Sequence, residues 1–330
     1  MLRRENSAPL RCLRRTEEQS NRRMKSQYFG VIGNRDYIKL RGERRPFWEF
    51  LDSQPDGWLS SISYKRKDLP HGKPMIWDCG AWSYRNKEVP DHSPSECVEL
   101  YSECALPGSM VIAPDHMLIP GVDCAARRKI NAAYAREFIA ICPESLNPMA
   151  TAHGETIDER IETAIALCEM GYHYIALGGL AAQASRKQMA VQIVSAIRQA
   201  APQVHLHVLG LSSPEYARQW NQIGVQSFDG SSHFKQAFTG GAFYTCEGAK
   251  LIKHQAARPG NAEDLGIVAP ECHCRACAVL REVGVDTRSF GSNEHNMGRA
   301  AHNMNMLMLA QQEAMRQPQV VESESPELAL

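Results

Sequence analysis

Between residues 28 and 230 the chain repeats one pattern: a short apolar run, a loop, then a stretch with helical periodicity. The apolar runs are YFGVIG (28–33), GWLSSISY (57–64), PMIWDCG (74–80), SMVIAPD (109–115), PMATAHG (148–154), YHYIALGG (172–179), HLHVLG (205–210) and VQSFDG (225–230). Each is strand-length, and most lack strict alternation, the pattern of parallel strands covered on both faces. The intervening segments carry helix signals. Thr156 and Glu159 have capping-box spacing ahead of an amphipathic run that stops at Gly171. Ser213 and Pro214 stand as N-cap and first residue of a helix closing at Gly224. Residues 185–202 carry a third amphipathic pattern, ended by Pro202.

Eight strands alternating with helices predict an α/β fold, a (β/α)8 TIM-like barrel over residues 27–245; a doubly wound open sheet is the competing architecture. In such a barrel, active sites gather at the C-terminal strand ends. Here Asp78 follows MIW, Asp115 follows VIAP, His153 follows MATA, Gly178 and Gly179 follow IAL, and Asp229 follows VQSF. A single aspartate after a strand usually reads as a cap or turn former. Three of them at strand ends of one barrel point to one mouth lined with carboxylates.

Composition changes this picture little. The 330 residues are 43% apolar and 22% charged with a formal net charge of zero, which gives no reason to invoke a polyanion from overall balance. The distribution is less even: residues 1–25 hold eight Lys and Arg against three Glu. That segment, with almost no hydrophobic residues, is expected to be disordered over 1–26, and 317–330 to be a disordered acidic tail. No apolar stretch approaches the ~18 residues of a membrane span, and no signal peptide is evident. Eight of the 11 cysteines are scattered, as expected of free thiols in a reducing compartment, so a cytoplasmic protein is expected.

The other three cysteines form one knot, CHCRAC, in a C-terminal subdomain expected over 246–316 with a closing helix. Cys272, Cys274 and Cys277 plus one imidazole would fill a tetrahedral zinc site and leave no open position, which makes the metal structural. His295 and His302 lie two turns apart on one helical face, so either can be the fourth ligand; His273 reads as a bystander. HGE at 153–155 with a cysteine cluster also mimics a zinc-deaminase signature. The two parts are over a hundred residues apart, and a third cysteine would close the coordination sphere.

These residues resemble a family. CHCRAC followed by RAAHNMNMLMLAQQEAMR is similar to the zinc element of tRNA-guanine transglycosylases, IWDCGAW to their DSGG segment, ALGGLA to their GGLA loop, and HVLGLSSPE…GVQSFDG to their MGVGxPE…FDC segment, in family order over residues 74–316. The resemblance implies a (β/α)8 barrel with Zn2+ on Cys272, Cys274, Cys277 and His302. It implies base exchange at guanine, with Asp229 as nucleophile and Asp78 as general acid/base. Asp115, His153 and the backbone of Gly178, Gly179 and Leu180 would bind the base, a 7-deazaguanine such as preQ0. Two departures bear on the substrate: His153 replaces the family's base-reading glutamine, and GSSHFKQAF replaces its anticodon-gripping PTRNAR. The DpdA-type branch, which acts on DNA, is the most similar, so DNA is the expected partner and tRNA the alternative. Lys235, Lys250, Lys253, His254 and Arg258 are candidates for phosphate contacts, and Trp82, Tyr84 and Phe234 for the pocket lining, although core packing is the commoner role of such aromatics. A homodimer, partner proteins of a modification complex, and a non-catalytic nucleic-acid-binding subunit are further readings of the resemblance.

Overall fold

The computed structural model describes residues 25–64, 68–180, 187–257 and 269–317. The basic segment before Lys25, the acidic tail after Gln317, and Arg258 lie outside the described residues. Strand β1 (Gln27–Ile32) is followed by a hairpin of β2 (Tyr37–Leu40) and β3 (Glu43–Pro46), and then by β4 (Gly57–Ser61) and β5 (Met75–Asp78). From there strands and helices alternate: α1 (Pro94–Cys104), β6 (Met110–Ile112), α2 (Cys124–Ile141), β7 (Asn147–Thr151), α3 (Ile157–Glu169) and β8 (Tyr174–Leu177). The series continues through α4 (Lys187–Ala200), β9 (His205–Val208), α5 (Pro214–Ile223), β10 (Ser227–Gly230) and α6 (Ser232–Phe238).

The strands close into a barrel in the order β1-β10-β9-β8-β7-β6-β5-β4. Closure is made by β1, which pairs in parallel with both β10 and β4; the open sheet is thereby excluded. All eight apolar runs are barrel strands, although the run at 57–64 leaves strand geometry at Ile62 for a short 3-10 turn. The predicted caps form as the side-chain chemistry requires. Thr156 and Glu159 make a reciprocal capping box on α3, Ser213 accepts from the Tyr216 N–H, and Gly224 ends α5 with φ 86°.

Beyond the barrel come a second hairpin, β11 (Ala242–Glu247) with β12 (Lys250–Gln255), then α7 (Arg275–Glu282) and α8 (Asn293–Arg316). Helix α8 is the closing element. Its residues Ala300, Ala301, Met304 and Leu307 are buried, and Arg299, fully buried, donates to the carbonyls of Ala237, Thr287 and Ser289. One guanidinium thus ties α6, the segment before α8 and α8 itself, satisfying carbonyls that burial would otherwise leave unpaired.

Candidate functional site

Because every barrel strand is parallel, their C-terminal ends share one rim. Asp78 closes β5, Asp115 lies three residues past β6, His153 two past β7, Gly178 one past β8, and Asp229 sits in β10. The structure therefore brings these sequence-predicted residues to one mouth. Asp78, Asp115, His153 and Gly178 stand on four neighbouring strands, with Asp229 further round the barrel.

Asp78 accepts the Gly80 N–H at 2.9 Å. Burial, then the Asp115 and Asp229 carboxylates, push its pKa up to about 7 against that hydrogen bond. A carboxyl half-protonated near neutrality can both give and take a proton. Its neighbour behaves differently. Burial alone would raise Asp115, but the hydrogen bond and charge of His153, with further bonds from Cys79 and Thr151, hold it below the usual carboxylate range. The His153 Nε2–Asp115 Oδ2 separation is 2.5 Å, and both side chains are buried. Two carboxyls in one mouth are thus driven apart in protonation, as an acid/base group beside a fixed anion requires.

The turn after β8 is held from beneath. Buried Arg160 donates to the Gly178 and Ala152 carbonyls at 3.0 and 3.2 Å. Gly179 has φ 73°, a conformation costly for a residue with a Cβ. A Cβ on Gly178 would sit 3.0 Å from the Thr151 methyl, so a larger residue there would have to push that side chain aside. Leu180 is buried.

Asp229, 6% exposed, accepts the Gly210 N–H at 3.0 Å through Oδ1. His207 Nε2 lies 3.2 Å from that same oxygen. His207 escaped sequence reasoning; in HLHV it looks like one polar position of an ordinary strand, and only the β9–β10 register places it beside Asp229. Trp82, Tyr84 and Phe234, candidates for the pocket lining with core packing the commoner role, part company in the structure. Tyr84 is indeed buried and Phe234 packs edge-on against Phe47, but Trp82 is 64% exposed, with Arg85 stacked 4.3 Å from its ring centre. The basic hairpin was also missed. Lys39 and Arg44 are direct cross-strand partners, both exposed, with exposed Arg41 at its turn. Of the basic residues singled out from sequence, Lys235, Lys250 and Lys253 are exposed, and His254 is engaged by Thr245 at 2.8 Å.

Away from the mouth, Cys272, Cys274, Cys277 and His302 offer ligand atoms that all lie within 4.8 Å of one another. His302 Nδ1 is 3.4 Å from Cys274 Sγ and 3.5 Å from Cys277 Sγ. Those separations match the edge, roughly 3.5 Å, of a tetrahedron with ~2.0–2.3 Å metal bonds. His302 Nε2 donates to the Tyr244 carbonyl at 2.6 Å, and the Phe243 ring stacks on the imidazole at 3.8 Å. The tautomer and ring plane are thereby set so that Nδ1 presents its lone pair to the thiols, which fits a metal centre. His295 instead faces Ser292 at 3.0 Å, so the structure selects His302 of the two histidines.

Residues 133–312, more than half of the chain, match the family described as Queuine tRNA-ribosyltransferase. A protein of Salmonella montevideo named DNA-guanine transglycosylase is 27% identical over 187 residues, 52% of this chain and 43% of that protein. The chain therefore spans less than half the length of the curated relative it matches. No described helix is long and apolar enough to cross a membrane.

Proposed function

Because the chain belongs to the Queuine tRNA-ribosyltransferase family, we propose that it exchanges guanine in a polynucleotide, DNA in preference to tRNA, for a 7-deazaguanine base such as preQ0. The observation that carries this reading is the mouth of three carboxylates, one of them, Asp78, poised at about 7 by burial and by the other two. Asp229 attacks C1′ of the target nucleotide through the oxygen not engaged by Gly210. The C1′–N9 bond breaks, guanine takes a proton from Asp78, and the sugar is held as an ester on Asp229. Asp78, now a carboxylate, takes the N9 proton of the incoming base. That nitrogen attacks C1′ and the Asp229 carboxylate is released. Asp115, fixed as an anion, accepts from the purine edge together with His153, while the backbone of Gly178, Gly179 and Leu180 borders the base.

Several features favour a nucleic acid as the polymer. Exposed Lys39 and Arg44, direct cross-strand partners, and Arg41 at their turn present positive charge that suits a phosphate backbone. Exposed Trp82 with its stacked Arg85 offers a platform for an unstacked base. The Salmonella relative's name, His153 in the glutamine's place and the absence of PTRNAR favour DNA; the family's description favours the tRNA alternative. Cys272, Cys274, Cys277 and His302 would hold Zn2+, whose closed coordination supplies structure to the C-terminal subdomain and no step of the exchange.

Mass spectrometry of nucleosides separates these readings. Purified protein incubated with a 7-deazaguanine base and guanine-containing DNA is expected to yield a deazaguanine deoxynucleoside. Product in tRNA alone establishes the alternative, and product in neither, with DNA or tRNA still bound by the purified protein, overturns the exchange reading in favour of a non-catalytic binding subunit.

A further inference from the structure

We infer that His207 is a positioning residue for Asp229, fixing which carboxylate oxygen attacks and speeding discharge of the covalent intermediate. This rests on the nucleophile reading of Asp229 given above. His207 lies on β9, fully buried, with the Phe29 ring edge-on at 5.9 Å. Its Nε2 is 3.2 Å from Asp229 Oδ1 and its Nδ1 2.8 Å from Ser227 Oγ. The same hydroxyl is 2.7 Å from Nε2 of His205. The β9–β10 pairing sets Ser227 directly opposite His207, so the chain of contacts follows from strand register rather than from a mobile loop.

Donor counting leaves little freedom. A carboxylate only accepts, so His207 Nε2 must carry hydrogen. In the neutral ring Nδ1 then accepts from the Ser227 hydroxyl, whose lone pair in turn takes the His205 Nε2–H. A protonated His207 reverses the serine link but leaves Nε2–H on Asp229. Burial, then the charges of His207 and Arg198, lower His205 to about 4, which keeps it neutral and free to serve as a donor or an acceptor. Under either assignment Oδ1 holds two donors, His207 and the Gly210 N–H. Oδ2 is left to form the bond to C1′.

That asymmetry has a kinetic consequence. On attack, Oδ2 becomes the ester oxygen, Oδ1 becomes the carbonyl oxygen, and the negative charge is lost. On discharge the C1′–Oδ2 electron pair returns to the carboxylate and its charge spreads onto Oδ1. Hydrogen bonds to a charged acceptor are worth more than those to a neutral one. The His207 donor therefore lowers the barrier for the carboxylate to leave, and it disfavours the adduct at equilibrium.

The test is rapid-quench kinetics with the full chain and whichever guanine-containing DNA or tRNA it modifies. Adduct is resolved on denaturing gels and chased with free guanine. For His207→Leu the expected result is an adduct that still forms but discharges about 10–100-fold more slowly, so that it accumulates. His207→Gln, which keeps an N–H donor, should recover most of the rate, and Ser227→Ala, which frees the imidazole tautomer, should fall between. If His207→Leu does not fold, the Gln and Ala variants carry the comparison. Unchanged discharge in the variants, or a Gln variant no better than Leu, overturns the positioning role alone. Absence of any adduct from the wild-type protein overturns the Asp229 reading and this inference with it.

Discussion

In the proposed exchange Asp78 would carry the proton that leaves with one base and returns from the next, and its surroundings decide when it can do so. With its pKa raised to about 7, it is the acid below that pH and the base above it. Adduct formation, which needs the acid, should fall about tenfold per pH unit above neutrality. Discharge, which needs the carboxylate, should fall likewise below it. Single-turnover rates measured for each half across pH 5–9 check this; parallel profiles for the two halves would contradict it. Asp78→Asn should lower adduct formation by roughly 10²–10⁴-fold and flatten its pH dependence. At this scale the sequence was informative where a residue broke an apolar context, as Asp78, Asp115 and Asp229 do at strand ends. It was silent on His207, Ser227 and Arg160, whose roles come from cross-strand register and burial. No spacing along the chain encodes that His207 faces Asp229 or that Arg160 reaches the Gly178 carbonyl.

Elements with a strong local signature were readable in advance. Capping boxes, N-terminal proline and C-terminal glycine are short-range chemistry, so α3 and α5 begin and end where their side chains dictate. The two hairpins were not foreseen. In β2, buried Ile38 and Leu40 alternate with Tyr37 and Lys39, but four residues of alternation amid arginines look like a charged loop. The hairpin makes a prediction of its own. Lys39→Glu with Arg44→Glu should weaken polynucleotide binding at every sequence and reduce the slope of log affinity against log salt by roughly 1.5–2. The same pair of reversals leaving the slope unchanged would move the phosphate path elsewhere, with Lys250 and Lys253 on β12 next to be tried. The metal element has a separate test. Cys274→Ser should lower the thermal midpoint by on the order of 10 °C while adduct formation per folded molecule stays near wild type. A variant that stays folded but loses adduct formation would make the metal catalytic.

For the whole molecule, the apolar pattern sufficed for the barrel because a closed parallel sheet needs eight strands buried on both faces, and each run supplied one. The same closure explains why residues as far apart in sequence as Asp78 and Asp229 share a mouth. A closing helix was expected from the sequence, but not how α8 closes the structure: its Arg299, Asn303 and Gln311 are buried and donate to the carbonyls of Thr287, Ala242 and Ser212, partners that only the fold brings near. The account's central claim is that Asp229 is the nucleophile of a base exchange on a polynucleotide. Its most direct measurement is capture of a denaturant-resistant, nuclease-sensitive adduct between the protein and guanine-containing DNA or tRNA. The account predicts that adduct for the wild-type chain, on DNA in preference to tRNA, and its loss in Asp229→Ala; an adduct that survives in Asp229→Ala, or none with either polymer, would contradict it.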